Sequence, residues 1–163
     1  MQRPADLARP ELQYVVEQLQ RDYVECIDDD RLEEWPEFFT DSCLYQVIPR
    51  ENADRDLPVA AMHCDSRGML RDRVVALRHA NIYARHYYRH LVSNINIKAV
   101  EGDAVRVQSN YVVMQTLLDG TTHIYNAGRY LDKIEFGADG ARFSEKVAIF
   151  DTYRIPNLMV TPI

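Results

Sequence analysis

The second half of the chain alternates apolar and polar residues in four long runs: Tyr88–Val100, Ala104–Leu118, Thr121–Phe136 and Ala141–Ile155. The breaks between them are Glu101-Gly102-Asp103, Asp119-Gly120 and Gly137-Ala138-Asp139-Gly140. Alternation sends successive side chains to opposite faces of a strand, and a short Gly/Asp break between two such runs is a strong hairpin signal. The runs therefore predict an antiparallel meander. Strands of this length twist and curl. With helices packed on one side, the sheet becomes a half-open cone, which either holds a small molecule or offers a docking surface.

The first half has a different period. Leu12, Val15, Val16, Leu19, Tyr23, Cys26 and Ile27 recur at steps of three and four, which is one stripe of a helix. Pro10 suits the first turn, where a missing N–H is harmless. After Asp28-Asp29-Asp30, helical spacing resumes at Leu32, Trp35, Phe38 and Phe39, with a break expected at Pro36. Trp35 is expected in the core beside the two phenylalanines. Thr40-Asp41-Ser42 reads as a turn, Cys43–Ile48 as a short strand ended by Pro49, and Arg50–Pro58 as irregular and polar. Ser66 is a candidate N-cap for a helix from Arg67 to Ala80, with Met69, Leu70, Val74 and Leu77 inward. Arg71 reads as part of a solvated helix face, although Arg71-Asp72-Arg73 and Arg89 are also placed to reach carboxylates across an interface. Helices that precede an antiparallel sheet predict an α+β fold, and 163 residues suit a single domain, 1–163, with one core.

Composition narrows the partners. Hydrophobic residues make up 47% of the chain and charged residues 27%, an ordinary globular balance. A net charge of −6 argues against a nucleic-acid partner. No apolar run is long enough for a membrane span, and the N-terminus lacks the apolar core of a secretory signal. Cys26, Cys43 and Cys64 are odd in number and widely spaced, which suits free thiols in a cytoplasmic protein.

Few patterns carry chemistry. There are no Cys-x-His-type pairs for a Rieske cluster and no CxxC zinc site. GxGxxG, P-loop and GxSxG motifs are missing too. His86-Tyr87-Tyr88-Arg89-His90 places two imidazoles on one face, as half of a two-histidine, one-carboxylate iron site would. The alternative is two imidazoles bonded to backbone or carboxylates near a strand start, with arginines beside them that oppose a dication. An acid–base site inside the cone would draw on Tyr23, Tyr45, His86, His90, Asn110 and Asn126, with Asp41 or Asp151 as its carboxylate. The competing reading makes these internal polar groups with internal partners. Ten tyrosines also fit a chain that packs against others.

Several segments share an order and spacing with a known family. They are Trp35-Pro36-Glu37-Phe38-Phe39-Thr40-Asp41, Tyr45 with Pro49-Arg50-Glu51-Asn52, Met69-Leu70-Arg71-Asp72-Arg73-Val74 and Tyr88-Arg89-His90-Leu91-Val92-Ser93-Asn94. Gly128-Arg129-Tyr130-Leu131-Asp132-Lys133 and Phe150-Asp151-Thr152-Tyr153 complete the set. From about Leu12 to Ile163 the chain resembles the small (beta) subunits of Rieske non-haem iron aromatic-ring-hydroxylating oxygenases. Within the aromatic-acid branch, Pro49-Arg50-Glu51-Asn52, Asn126-Ala127-Gly128 and Ile155-Pro156-Asn157 resemble salicylate 5-hydroxylase small subunits. Ala80-Asn81-Ile82-Tyr83 and Tyr130-Leu131-Asp132-Lys133 resemble those of terephthalate dioxygenase.

The resemblance implies a cone of the nuclear-transport-factor class and a structural role. The partner large (alpha) subunit would carry the Rieske [2Fe–2S] cluster and mononuclear iron. NAD(P)H would supply electrons through a reductase, often with a ferredoxin. Three large and three small subunits would assemble. No catalytic, cofactor or metal residue is then expected in this chain. Interfaces are expected on the outside of the long strands, at Tyr88–Asn94 and along the apolar tail Tyr153–Ile163, unless that tail folds back on its own core. The rival reading is a stand-alone dehydratase or isomerase of the same cone, with its acid–base groups inside. A third is a plain binding or dimerisation module.

Overall fold

The computed structural model of the chain describes residues 3–152, 155 and 159–163. Tyr153, Arg154, Pro156, Asn157 and Leu158, on which part of the expected tail interface falls, lie outside the described residues.

Helix α1 (Arg9–Asp28) buries Leu12, Val16, Leu19, Tyr23, Cys26 and Ile27, the stripe read from the sequence. The Glu11 carboxylate accepts the Ala8 N–H at 3.2 Å, which satisfies one of the donors a helix start leaves free. The second helix expected over Leu32–Phe39 is only a 3₁₀ turn, Trp35–Phe38. Pro36 has no N–H to extend it. Strand β1 (Phe39–Pro49) begins at once and takes in Thr40-Asp41-Ser42, expected as a turn. The β1 register slips between Phe39 and Leu44, and Asp41 and Ser42 stay exposed there. A bulge leaves the same polar signature as a turn.

Arg50–Pro58, expected to be irregular, opens with a short helix, α2 (Arg50–Asp54). Ion pairs at i,i+4 support it, Arg50 to Asp54 at 3.8 Å and Arg55 to Glu51 at 3.0 Å. Strand β2 (Met62–Cys64) is too short to show in a pattern and sets Cys64 opposite Tyr45 on β1. Ser66 caps α3 (Arg67–His79) by accepting the Met69 N–H at 3.3 Å. Leu70, Val74 and Leu77 are buried, whereas Met69, expected inward, is 39% exposed.

The meander is β3 (His86–Glu101), β4 (Ala104–Leu117), β5 (Thr122–Gly137) and β6 (Gly140–Phe150). Its last strand stops at Phe150, short of Ile155. Gly102, at φ +64°, makes the tight β3–β4 turn that a side chain would strain. The sheet order is β2-β1-β6-β5-β4-β3, with β1 parallel to β6 and the other pairs antiparallel. This is the α+β cone expected, with a mixed sheet.

Gly128 allows the curl. A Cβ there would lie 2.0 Å from the Ile149 carbonyl oxygen, so only hydrogen lets β5 and β6 come this close. On the concave side Tyr23, Trp35, Phe39, Tyr45 and Phe143 pack largely edge-on, with ring centroids 5.1 to 6.1 Å apart along the cluster. Trp35 is fully buried, as expected of a core residue. The long edge strand β3 is blunted by α1 side chains. Arg9 donates to the Ile97 carbonyl (3.1 Å), Gln13 to the Ile95 carbonyl (2.9 Å), and Asp28 accepts the His90 N–H (2.8 Å).

Candidate functional site

The concave side of the cone is where an internal acid–base site would sit. Residues 159–163 fill it. Met159, Val160 and Ile163 are buried, and the hydroxyls of Tyr23 and Tyr45 both donate to the Ile163 oxygen, at 2.9 and 3.0 Å. The Ile163 N–H donates to the Tyr45 hydroxyl at 2.9 Å, and Arg73 donates to the Met159 carbonyl at 2.7 Å. Burial pushes both phenols well above their ordinary pKa, so they remain donors. The described part of the tail therefore lies inside the cone and not at an outer interface. Its apolar side chains find more burial against the aromatic cluster than on the surface.

The interior carboxylate is Asp132, which the sequence reading did not place. It pairs across strands with Lys146, whose Nζ lies 3.3 Å from Oδ2. Gln20 on α1 bridges them, donating to Asp132 and accepting from Lys146 at 3.0 Å. The ammonium also sits 3.9 Å from the Tyr130 ring centroid and 4.4 Å from that of Phe143. Desolvation raises the Asp132 pKa despite the neighbouring cation, and lowers Lys146 to about 8 against the pull of Asp132. Every polar atom of the trio finds its partner within the trio or on an aromatic face, which suits a structural pair better than a proton shuttle. The clue lay in the alternation. Tyr130, Asp132, Ile134 and Phe136 form one row of β5, and Lys146 and Ala148 lie on the matching row of β6.

The two histidines share a face but not a partner. His90 is buried, with Nδ1 donating to Asp28 at 2.6 Å, while His86 is half-buried and its Nδ1 donates to the Ala84 carbonyl at 2.8 Å. Their partners accept only, so Nδ1 carries the proton in each. Asn126 is buried and accepts the Tyr111 hydroxyl at 2.5 Å, but Asn110, proposed alongside it, faces outward between Ser93 and Arg129. Asp41 and Asp151 are not internal: they pair at the surface with Arg67 and Arg50. Turn-like and strand-end positions put both at the rim.

Among the described residues no three His, Cys, Asp or Glu side chains gather to hold a metal. Cys26, Cys43 and Cys64 are buried, and burial pushes the first two thiols up to about 11 and raises the third. These donors do not fit a Rieske cluster or a mononuclear iron. A cleft of about 100 Å³ at the cone mouth, lined by Asp28, Tyr83, His86, Tyr88 and Thr161, is too small for an aromatic substrate. No helix of the described residues is long and apolar enough to cross a membrane.

The outer face of the sheet is the other candidate. Ladder register sets Leu91 beside Val112 and Ala127, Arg89 beside Met114 and Ile124, and Tyr87 beside Thr116. Tyr87, Leu91 and Ile124 are each more than half exposed. Of the segment Tyr88–Asn94, expected at an interface, Tyr88 and His90 point inward, while Arg89, Leu91, Ser93 and Asn94 face out.

An apolar outer face on a cone closed from within defines a class of subunit, and comparison with known proteins specifies it. The ring hydroxylating beta subunit family matches residues 23–157. The chain belongs to this family, the small subunits of aromatic-ring-hydroxylating dioxygenases. The anthranilate 1,2-dioxygenase small subunit of Burkholderia cepacia is 49% identical over 89% of this chain and 90% of its own length. The terephthalate 1,2-dioxygenase terminal oxygenase subunit beta 2 of a Comamonas species is 36% identical over 86% of this chain and 92% of its own. A crystal structure of a beta subunit assigned to an aromatic-ring-hydroxylating dioxygenase of Novosphingobium aromaticivorans is 51% identical. It covers 93% of this chain and 96% of that one, with a TM-score of 0.85.

Proposed function

We propose that this chain is the structural small subunit of a Rieske oxygenase that hydroxylates an aromatic carboxylate, with ortho-substituted benzoates such as anthranilate and salicylate as the first substrates to try. The large subunit holds both the [2Fe–2S] cluster and the mononuclear iron, and a reductase delivers electrons from NAD(P)H, through a ferredoxin where one is present. Three large and three small subunits assemble in the cytoplasm. The small subunits contact their own kind around the three-fold axis and each supports a large subunit.

The observation that carries this reading is the division of the surface. Residues 159–163 occupy the cone interior, while Tyr87, Leu91, Val112, Met114 and Ile124 form an apolar outer face. Contacts that close a ring need two different faces on each chain, and obligate interfaces bury ~2,000 Å² or more. This chain contributes geometry: by fixing neighbouring large subunits it fixes the distance between their redox groups. Among the described residues the interior acid–base groups are paired with one another, which does not favour the dehydratase reading.

Co-expression with the large subunit encoded beside it tests the proposal. The expected result is a complex whose mass fits equal numbers of both chains, active on benzoate-class acids, with all iron in the large subunit. A small subunit that does not associate with the co-expressed large one, or that alone dehydrates or isomerises a carbonyl compound, overturns it.

A further inference from the structure

The cone interior is built as a binding site, and its occupant is a segment of the same chain. Two hydroxyls from separate elements, Tyr23 on α1 and Tyr45 on β1, converge on the Ile163 oxygen at 2.9 and 3.0 Å. The Tyr45 hydroxyl also takes the Ile163 N–H at 2.9 Å. From α3 the Arg73 guanidinium reaches the Met159 carbonyl at 2.7 Å. The side chains of Met159, Val160 and Ile163 are shielded from water within the core cluster. Main-chain groups read by fixed polar side chains, with side chains seated in apolar surroundings, is the way proteins bind extended peptides. Emptying the site would strip Tyr23 and Tyr45 of their shared partner and expose the apolar side chains around them to water, so the site favours being filled.

We infer that the interior of the cone is a peptide-binding site, filled in cis by residues 159–163 and able to take the same segment in trans once that one is removed. Its ligand class is a short apolar peptide with a branched aliphatic residue at the Tyr23–Tyr45 end. Tethering gives the resident segment an effective concentration on the order of millimolar, which keeps other ligands out. The inference goes beyond the proposed structural role and stands without it.

The test deletes residues 159–163 and adds back an acetylated synthetic peptide spanning Met159–Ile163. The deletion lowers Tm, and the peptide restores it saturably, whereas a scrambled peptide does not. Tyr45→Phe in the deletion background weakens the peptide about tenfold, the weight of a lost buried hydrogen bond. A folded deletion variant that ignores the peptide overturns the inference. If the deletion variant does not fold, Tyr23→Phe/Tyr45→Phe in the full chain decides by hydrogen exchange. Exchange at the Ile163 amide at least about tenfold faster, with the β4–β5 amides unchanged, supports the site; unchanged protection at Ile163 overturns it.

Discussion

Asp132 and Lys146 face each other across β5 and β6 as register partners, and neither side chain touches solvent. Burying two ions costs more than their attraction returns unless their remaining hydrogen bonds are met. Here Gln20 and three aromatic faces meet them. Breaking the pair is therefore far worse than replacing it. Asp132→Asn alone should destabilise the chain by about 3–5 kcal/mol, and Asp132→Leu/Lys146→Met together should cost little or stabilise. Urea denaturation of the three proteins measures this directly.

The same pair sets a pH dependence. Burial holds Lys146 at about 8 in the folded chain, against 10.5 when it is free. Between those values the unfolded chain keeps a proton that the folded chain has released, so this group adds stability as pH rises from about 8; below that, its contribution is flat. The buried thiols and phenols act oppositely at higher pH, since their folded pKa values are raised. They titrate in the doubly substituted protein as well. The difference in stability between the parent and that protein should therefore shift toward the parent between pH 7 and pH 9.

What the sequence made legible was local. The alternating runs, the α1 stripe and the Ser66 cap each involve residues within a few positions of one another, and each appears where expected. The parallel pairing of β1 with β6 joins segments about a hundred residues apart, and no local pattern encodes it. Asp132 shows the same limit at the candidate site. Its inner-row position is readable, but its partner is not until the Ala138-Asp139 turn fixes the register of β6. The tail carries no local signal of its destination, because an apolar segment suits a neighbour's surface and its own core equally well.

Gly128 should tolerate no side chain. A methyl group there meets the backbone of Ile149 and Phe150, and backbone cannot rotate away as a side chain would. Gly128→Ala should cost more than about 3 kcal/mol or leave the protein insoluble, whereas Gly102→Ala, in open space at φ +64°, should cost about 1 kcal/mol from backbone strain alone. Thermal unfolding of both variants separates steric exclusion from conformational preference.

The histidines should matter to stability and not to metal. His90→Ala removes the 2.6 Å partner of a nearly buried Asp28 carboxylate, and should cost about 2–3 kcal/mol. His86→Ala loses one partly exposed bond to a carbonyl and should cost less than about 1 kcal/mol. In a complex carrying both changes, iron per large subunit should be unchanged. Metal analysis showing loss of iron from an intact complex would reinstate the iron-ligand reading.

The outer face provides the sharpest separation of folding from assembly. Leu91 and Ile124 are more than half exposed, so an aspartate at either position disturbs little of this chain's own packing. Arg89, two residues before Leu91 on β3 and in the same row as Met114 and Ile124, stands 3.9 Å from Asp28 and carries a largely exposed guanidinium. If the face is covered in the oxygenase, Leu91→Asp/Ile124→Asp buries two charges without partners, a penalty of several kcal/mol at an interface. The expected outcome is a subunit with Tm within a few degrees of the parent that no longer co-purifies with the large subunit. Arg89→Glu should act in the same direction and more weakly, with a salt dependence that the apolar positions lack. Co-purification at parental yield with all three substitutions present would place the interface elsewhere on the cone, and the surface around α2, where Asn52 bonds the carbonyl of the exposed Val59, would then be the next to test.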